Sequence, residues 1–232
     1  MGPSDSSGKW ILKRAFDMVA SSAGLLVLSP LFLVLAGVVR ATSPGPALFL
    51  QLRVGRHGKL FKCAKFRTMC VGAQAQGTIT TKGDSRITPI GRLLRRTKLD
   101  ELPQLWNVLA GAMSFVGPRP DVVGYADRLQ GDDRRILELR PGITGPSALL
   151  FCDEERLLAL ARDSKAFNDA VLYPEKIRIN LQYLESRSFW RDMGYLAATL
   201  LPSLTRGLGW DRRLGLNHDE FRARMEQEAK RY

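Results

Sequence analysis

Two adjacent carboxylates, Asp100 and Glu101, stand just ahead of Pro103 in the run Thr97-Lys98-Leu99-Asp100-Glu101-Leu102-Pro103-Gln104-Leu105-Trp106-Asn107. A carboxylate can attack a phosphoryl group, form an acyl phosphate and divide a difficult transfer into two steps. Its plainer use is to cap a helix. Leu102, Leu105, Trp106 and Leu109 recur at helical spacing, and proline is well tolerated only in a helix's first turn. The N-cap is therefore expected near Leu99 or Asp100, with both carboxylates at the positive end of the helix, where an anion is favoured. The local pattern leaves cap and nucleophile equally open for Asp100.

Three cationic stretches accompany the pair. Arg119 is clamped between prolines in Phe115-Val116-Gly117-Pro118-Arg119-Pro120. A residue before proline avoids helix, so this segment is expected to be extended. Its guanidinium is then pre-organised either for bidentate contact with phosphate or carboxylate, or for structural bonds to carbonyls. Lys65 and Arg67 lie two apart in Lys65-Phe66-Arg67-Thr68-Met69 and share one face if that segment is a strand. Such a pair can grip a diphosphate or be merely solvated. Arg92, Arg95 and Arg96 follow the cap–proline pair Thr88-Pro89 on a short amphipathic helix with Leu93 and Leu94. A helix of this kind suits a headgroup plane, leucines down and arginines toward phosphate.

The elements that must position these groups follow in order along the chain. Residues 47–52 and 60–66 predict two strands of a small hairpin around a turn at 54–58. Residues 71–85 are rich in Gly and Thr but lack the Gly-Lys-Ser/Thr ending of a P-loop, so a mobile loop is expected. Gly111 should end the helix after the carboxylates. Residues 121–139 predict a charged surface helix, and Arg140-Pro141-Gly142-Ile143-Thr144-Gly145 a rigid loop. Further helices are expected over 155–170 and 174–185, the second with Ile177, Leu181 and Leu184 on one face. An aromatic-rich segment from Phe189 through Tyr195 to Trp210, flanked by Arg187, Arg191, Arg206 and Arg212, suits an interfacial helix or a core helix. Residues 219–232 read as a charged, soluble helix.

Near the N-terminus, residues 1–8 are rich in Ser, Gly and Pro and are expected to be disordered. An apolar run of about 22 residues, 18–39, follows, close to the length that crosses a bilayer. Ser29-Pro30 interrupts it, and a proline there bends a helix and frees a backbone carbonyl that Ser29 could satisfy. Cations flank the run on both sides: Lys13 and Arg14 before, then Arg40, Arg53, Arg56 and Lys59 after. A spanning helix should carry asymmetric positive charge. Physics alone leaves a spanning and a re-entrant helix about even. Asp17 would be costly in hydrocarbon and is expected at the interface, beside Lys13 or Arg14.

The 232 residues are most simply one core, and the net charge of +12 must face something negative: nucleic acid, lipid headgroups or a phosphorylated substrate. Cys63, Cys70 and Cys152 form no CxxC pair, and His57 and His218 form no metal-ligand pattern. Neither a disulfide framework nor a zinc site is expected.

The dyad stretch, together with Lys65-Phe66-Arg67-Thr68-Met69, Pro118-Arg119-Pro120, Arg140-Pro141-Gly142-Ile143-Thr144-Gly145 and the Ser29-Pro30 break, resembles the bacterial sugar transferases, the monotopic phosphoglycosyl transferases. The resemblance covers roughly residues 13–204 with the motifs in family order. It implies a mostly helical α+β fold. Residues 1–12 would be a disordered N-terminus and residues 13–40 a re-entrant helix-break-helix at Ser29-Pro30. Residues 41–232 would form a catalytic domain with interfacial helices on the cytoplasmic face of the bacterial inner membrane.

The same resemblance implies that Asp100 attacks the β-phosphate of a UDP-sugar and expels UMP, after which polyprenol phosphate takes the phosphosugar. Glu101 would hold Mg²⁺. Lys65, Arg67 and Arg119 would bind the donor and Arg95 the acceptor phosphate, and a homodimer is compatible. The chain departs from the commonest pattern after Gly145, where Pro146 to Glu155 stand, and at Asn180, where an Asp is usual; sugar preference therefore does not transfer. The rivals from other classes are a membrane-tethered nucleic-acid-binding protein and a membrane scaffold. The basic helix lacks the interleaved aromatics of a stacking platform, so nucleic acid is not the expected partner.

Overall fold

The computed structural model describes residues 4–73 and 84–232. The expected mobile loop at 71–85 falls largely on residues 74–83, outside the described residues.

Two helices open the chain, α1 (Ser4–Val27) and α2 (Ser29–Thr42). Pro30 lacks the N–H a continuous helix needs, and the two axes diverge by 62° at the break. Ser29 Oγ donates to the Leu26 carbonyl at 2.8 Å, the bond expected for the freed backbone. Among the described residues no single helix is long and apolar enough to cross a bilayer, but this bent pair passes that test together. α1 begins at Ser4, so most of the terminus expected to be disordered is helical. Once Trp10 is held, with the Arg187 guanidinium 4.0 Å from its ring centroid, each further residue adds to an existing helix at little cost.

The first half of α1 packs into the body of the chain. Lys13 Nζ donates to the Val116 carbonyl at 2.9 Å and pairs with Asp192. Arg14 donates to the Val108 and Leu109 carbonyls, both at 2.7 Å. Asp17 is 2% exposed and accepts from the Phe115 N–H at 3.2 Å. The expected partnering of Asp17 with Lys13 or Arg14 is thus corrected: backbone groups of the core take all three charges instead. A boundary at residue 40 does not divide the packing.

The expected hairpin forms from β1 (Leu48–Val54) and β2 (Leu60–Phe66), antiparallel with Leu48 opposite Phe66 and Val54 opposite Leu60. α3 (Pro89–Arg96) follows, and Thr88 caps it as read from sequence, accepting from the Gly91 N–H at 3.0 Å. Gly91 lets α3 lie on the chain leaving β2: a Cβ there would stand 2.0 Å from the Thr68 carbonyl oxygen.

The dyad is not in the first turn of one helix. Leu99–Glu101 is a separate 3₁₀ turn, entered through Lys98 at φ 58°, and α4 (Gln104–Leu109) starts only after Pro103. A left-handed residue on one side and a proline on the other break the helical run into two pieces. Gly111, at φ 83°, closes α4.

The extended Phe115 segment has a partner that the sequence did not reveal. β3 (Ser114–Val116) runs parallel to β4 (Gly142–Thr144). The glycines of both motifs make this contact possible, since a Cβ on Gly117 would lie 2.3 Å from the Arg140 carbonyl oxygen. Between them, the helix expected over 121–139 is replaced by 3₁₀ turns at Ala126–Arg128 and Gly131–Glu138. Gly124 and Gly131 take φ of 105° and 57°, which no α-helix contains.

The C-terminal part builds a second core. The helix expected over 155–170 is broken into α6 (Glu154–Leu160), which follows α5 (Pro146–Leu150), then α7 (Ser164–Phe167) and a π turn, before α8 (Tyr173–Ser186). Asp163 restarts the helix at α7, accepting from the Lys165 and Ala166 N–H groups. α9 (Phe189–Leu200), α10 (Pro202–Gly207) and α11 (Trp210–Arg213) lead to α12 (His218–Ala229). α12 is no detached soluble helix. Phe221, Met225 and Ala229 recur every four residues and are buried against Phe151, Leu157, Phe167 and Leu172. On α9, Tyr195 and Ala198 are buried while Trp190 is exposed, so the helix serves the core on one side and solvent on the other.

Candidate active site

Asp100 and Glu101 face a pocket of cations but are treated differently by it. Glu101 Oε1 accepts from Lys65 Nζ at 3.1 Å and from Arg119 Nη2 at 2.5 Å. Burial alone would push its carboxyl up, but Arg119 and Lys65 outweigh it and hold Glu101 well below the usual carboxylate range. Asp100 is 6% exposed, and its Oδ1 is buried without a hydrogen-bond partner among the described residues. Burial, reinforced by the Glu101 charge, raises its pKa against the pull of Lys65, Arg95 and Lys98. One carboxylate is fully compensated. The other has one oxygen buried without a hydrogen bond and lies in the field of Lys65, Arg95 and Lys98.

Each partner has a rigid support. Lys65 projects from β2, where burial and Arg119 push its ammonium down against the opposing pull of Glu101. Arg119, 45% exposed at its side chain, is kept charged by Glu101. Its extended backbone is braced by Arg53, whose Nη1 donates to the Pro120 carbonyl at 2.8 Å. Asn107 ties α4 to β2 as a ladder strand would: Oδ1 accepts from the Ala64 N–H at 2.9 Å and Nδ2 donates to the Lys62 carbonyl at 2.8 Å. That pair of bonds fixes the register between Lys65 and the dyad.

Neither Arg53 nor Asn107 was singled out for the site from sequence. Arg53 was counted among the cations flanking the apolar run. Asn107 showed only as a polar residue between apolar ones on a helix, which was its one legible signal.

Arg67 is the site residue that the structure places elsewhere. It lies just past β2, and its guanidinium donates to the carbonyls of Ser43, Pro44, Gly45 and Pro46 and to Ser43 Oγ. Every nitrogen of the fork is engaged in holding the turn where α2 leaves, so Arg67 has no donor to spare for a phosphate. The shared-face argument fails because the strand ends at Phe66. Arg95 does stay near the dyad, with Nε donating to Thr68 Oγ1 at 3.3 Å and Nη1 to Glu155 Oε1 at 2.9 Å. Asn180 is buried and accepts from Ser147 Oγ at 2.9 Å, a structural bond between α8 and α5. Ser29 and Pro30 lie at the helix break.

The donor set bears on a metal. Glu101 accepts both of its bonds on Oε1, which leaves Oε2, and the orphaned Asp100 Oδ1 is beside it in sequence. Among the described residues no group of three or more His, Cys, Asp or Glu could hold a metal ion, so these carboxylate oxygens are all that the chain offers a hard cation such as Mg²⁺, which takes much of its shell from phosphate and water. The assembly as a whole sets a buried carboxylate beside Lys65, Arg119 and Arg95, cations able to neutralise a polyphosphate.

Comparison with known proteins agrees with this chemistry. A family model described as bacterial sugar transferase matches residues 8–206. The exopolysaccharide production protein PSS of Rhizobium leguminosarum bv. phaseoli is 40% identical over 215 residues, covering 86% of this chain and 98% of that protein. A UDP-glucose:undecaprenyl-phosphate glucose-1-phosphate transferase of Klebsiella pneumoniae is 39% identical over 196 residues, 82% of this chain but 39% of that protein. An undecaprenyl-phosphate galactose phosphotransferase of Salmonella typhimurium is 37% identical over 211 residues, 84% of this chain and 41% of that protein. A family model that matches most of the chain, and a relative 40% identical that it covers almost whole, show that the chain belongs to the bacterial sugar transferase family.

Proposed function

We propose that this chain transfers a sugar 1-phosphate from a UDP-sugar to polyprenol phosphate through a phosphosugar carried on Asp100. The observation that carries the reading is Asp100 itself: a buried carboxylate with an unbonded oxygen, set among cations. In the first step an Asp100 oxygen forms a bond to the β-phosphorus, the bridging P–O bond breaks and UMP departs with the electron pair. In the second, a phosphate oxygen of the acceptor attacks the same phosphorus, the bond to Asp100 breaks and the carboxylate is restored. The product is a polyprenyl diphosphate sugar.

Lys65 and Arg119 bind the donor diphosphate and offset charge on the departing UMP. Glu101 keeps those two cations in place and ionised. Its Oε2 would hold Mg²⁺, which when bound supplies further charge neutralisation to the diphosphate. Arg95 receives the acceptor phosphate. The family relatives named for undecaprenyl phosphate support a lipid acceptor. The bent pair α1–α2 is read as re-entrant, entering and leaving the bilayer on the cytoplasmic face.

The test is incubation of the purified protein with UDP-sugars, one at a time and without acceptor. The expected result is a burst of UMP equal to the enzyme and a phosphosugar adduct on Asp100 by intact and peptide mass. UMP formation that needs acceptor from the first turnover, with no adduct for any donor that supports turnover, would refute the two-step route.

A further inference from the structure

Arg95 is held at two points, and the second is supplied by a part of the chain that the dyad motifs do not include. α3, which carries Arg95, is fixed to the chain at Thr68: the Thr88 N–H donates to the Thr68 carbonyl at 3.0 Å and Gly91 packs on the same group. Thr68 Oγ1 then takes Arg95 Nε at 3.3 Å. The far end of the guanidinium is taken by Glu155 Oε1 at 2.9 Å from Nη1.

Glu155 stands in the first turn of α6, and α6 is itself braced on both sides. Glu154 bonds Lys176 of α8 at 2.5 Å, and Arg156 lies 3.3 Å from Glu226 of α12. Leu157 and Leu158 are buried with Phe221 and Met225 of α12. This last helix lies beyond residue 206, where the family match ends.

The consequence is a guanidinium with Nε and Nη1 each engaged and Nη2 free among the described residues. Arg67, with all three nitrogens engaged, shows the opposite arrangement. A long side chain with many rotamers gains pre-organisation when a carboxylate pins one end and leaves the other donors pointing at the ligand.

We propose that Glu155 is a positioning residue for the acceptor step, holding Arg95 so that its remaining donors meet the acceptor phosphate beside Asp100. This rests on the reading of Arg95 as the acceptor's phosphate ligand. Glu155 touches neither substrate. Its side chain is half exposed, so the pair is worth no more than exposed ion pairs generally are, about a 1.5- to 5-fold effect on an equilibrium.

The experiment compares wild type, Glu155→Ala, Glu155→Gln and Arg95→Ala by direct binding of a short-chain polyprenyl phosphate in detergent micelles, with the unphosphorylated polyprenol as control. Binding needs no turnover, so it separates this inference from the two-step chemistry. Glu155→Ala is expected to weaken phosphate-dependent binding about three- to fivefold, and Glu155→Gln, which keeps the accepting oxygen, by less. The UMP burst from donor alone should be unchanged in both variants. Unchanged or tighter binding by Glu155→Ala would overturn the proposal, as would an equal loss in the donor burst, which would mark Glu155 as merely structural. Wild-type binding indifferent to Arg95→Ala would overturn it too, since there would be nothing for Glu155 to position.

Discussion

Asp100→Asn separates a nucleophile from a cap, and the structure fixes the sign of its effect on stability. Asn matches Asp in shape but carries no charge. In the wild type, burial and the neighbouring Glu101 raise the Asp100 pKa above its unfolded value. A carboxyl raised in this way costs nothing below the unfolded pKa, about 3.9, and lowers stability as pH climbs through the folded value. Asn escapes that cost. The variant should therefore melt above the wild type at pH 7.5, and the two curves should converge as pH falls toward 4.

Every tenfold by which the fold disfavours ionisation is about 1.4 kcal/mol, or roughly 3–6 °C of Tm in a domain of this size. The orphaned Oδ1 removes the usual compensation, since no hydrogen bond is lost there. The assay is thermal unfolding of both proteins in the same detergent across pH 4–8, beside UMP release. Turnover should drop by about three orders of magnitude or more, roughly 4 kcal/mol of barrier, because an amide is a poor nucleophile. A variant less stable than wild type at pH 7.5 would mean that Asp100 is a paired cap. Freshly prepared, mass-checked Asn protein turning over near the wild-type rate would end the nucleophile reading.

Two arginine substitutions should behave oppositely. Arg67→Lys keeps the charge but not the fork, taking its donors from the carbonyls of residues 43–46; a loss of about 1–3 kcal/mol is expected, read as a Tm lowered by roughly 2 °C or more, and an unmoved Tm would refute the clamp. Arg119→Lys, at a 45% exposed side chain, should leave Tm within about 2 °C and cut donor turnover at least tenfold; near-normal turnover would reduce Arg119 to a point charge. Pro30→Ala restores a backbone donor and removes a clash worth about 3 kcal/mol in a helix interior. Cysteines placed at positions 8 and 42 should both label from the cytoplasmic side in the parent, and the alanine variant should shift a fraction of position 8 or 42 to the other side; identical labelling would show that the break does not depend on the proline.

What could be read from the chain was what short-range chemistry decides. Thr88-Pro89 as a helix start, the hairpin around residues 54–58, the Ser29-Pro30 break and Gly111 as a helix stop are each set by a neighbour or two. The structure brings Lys65, Arg119 and Glu101 together, a grouping that the family resemblance implied and the residues alone did not. The errors share a cause: the deciding partner was distant in sequence. Asp17 answers to Phe115, Arg67 to a turn more than twenty residues earlier, and Asn107 to the edge of β2. β3 and β4 are three residues each and sit on opposite sides of a long connection, too short for any periodicity to betray them. At α12 the spacing of Phe221, Met225 and Ala229 was visible, but abundant charge on the other face hid it.

The polar grip of α1 has a practical corollary for handling the molecule. Lys13, Arg14 and Asp17 satisfy Val116, Val108, Leu109 and Phe115 from a helix whose far end is the greasy one. Cutting the chain at residue 41 to obtain a detergent-free fragment would remove more than an anchor. It would take a side-chain partner from three backbone carbonyls and one N–H, though Val108 keeps its bond from the Gly111 N–H, and would leave Asp192 without its lysine. The strand so exposed leads straight into Pro118-Arg119-Pro120, so the damage would arrive at Arg119, which bonds Glu101 of the dyad. Solubilisation by truncation is therefore the wrong route, and recoding the outward apolar positions of α1 and α2 while keeping Lys13, Arg14 and Asp17 is the right one.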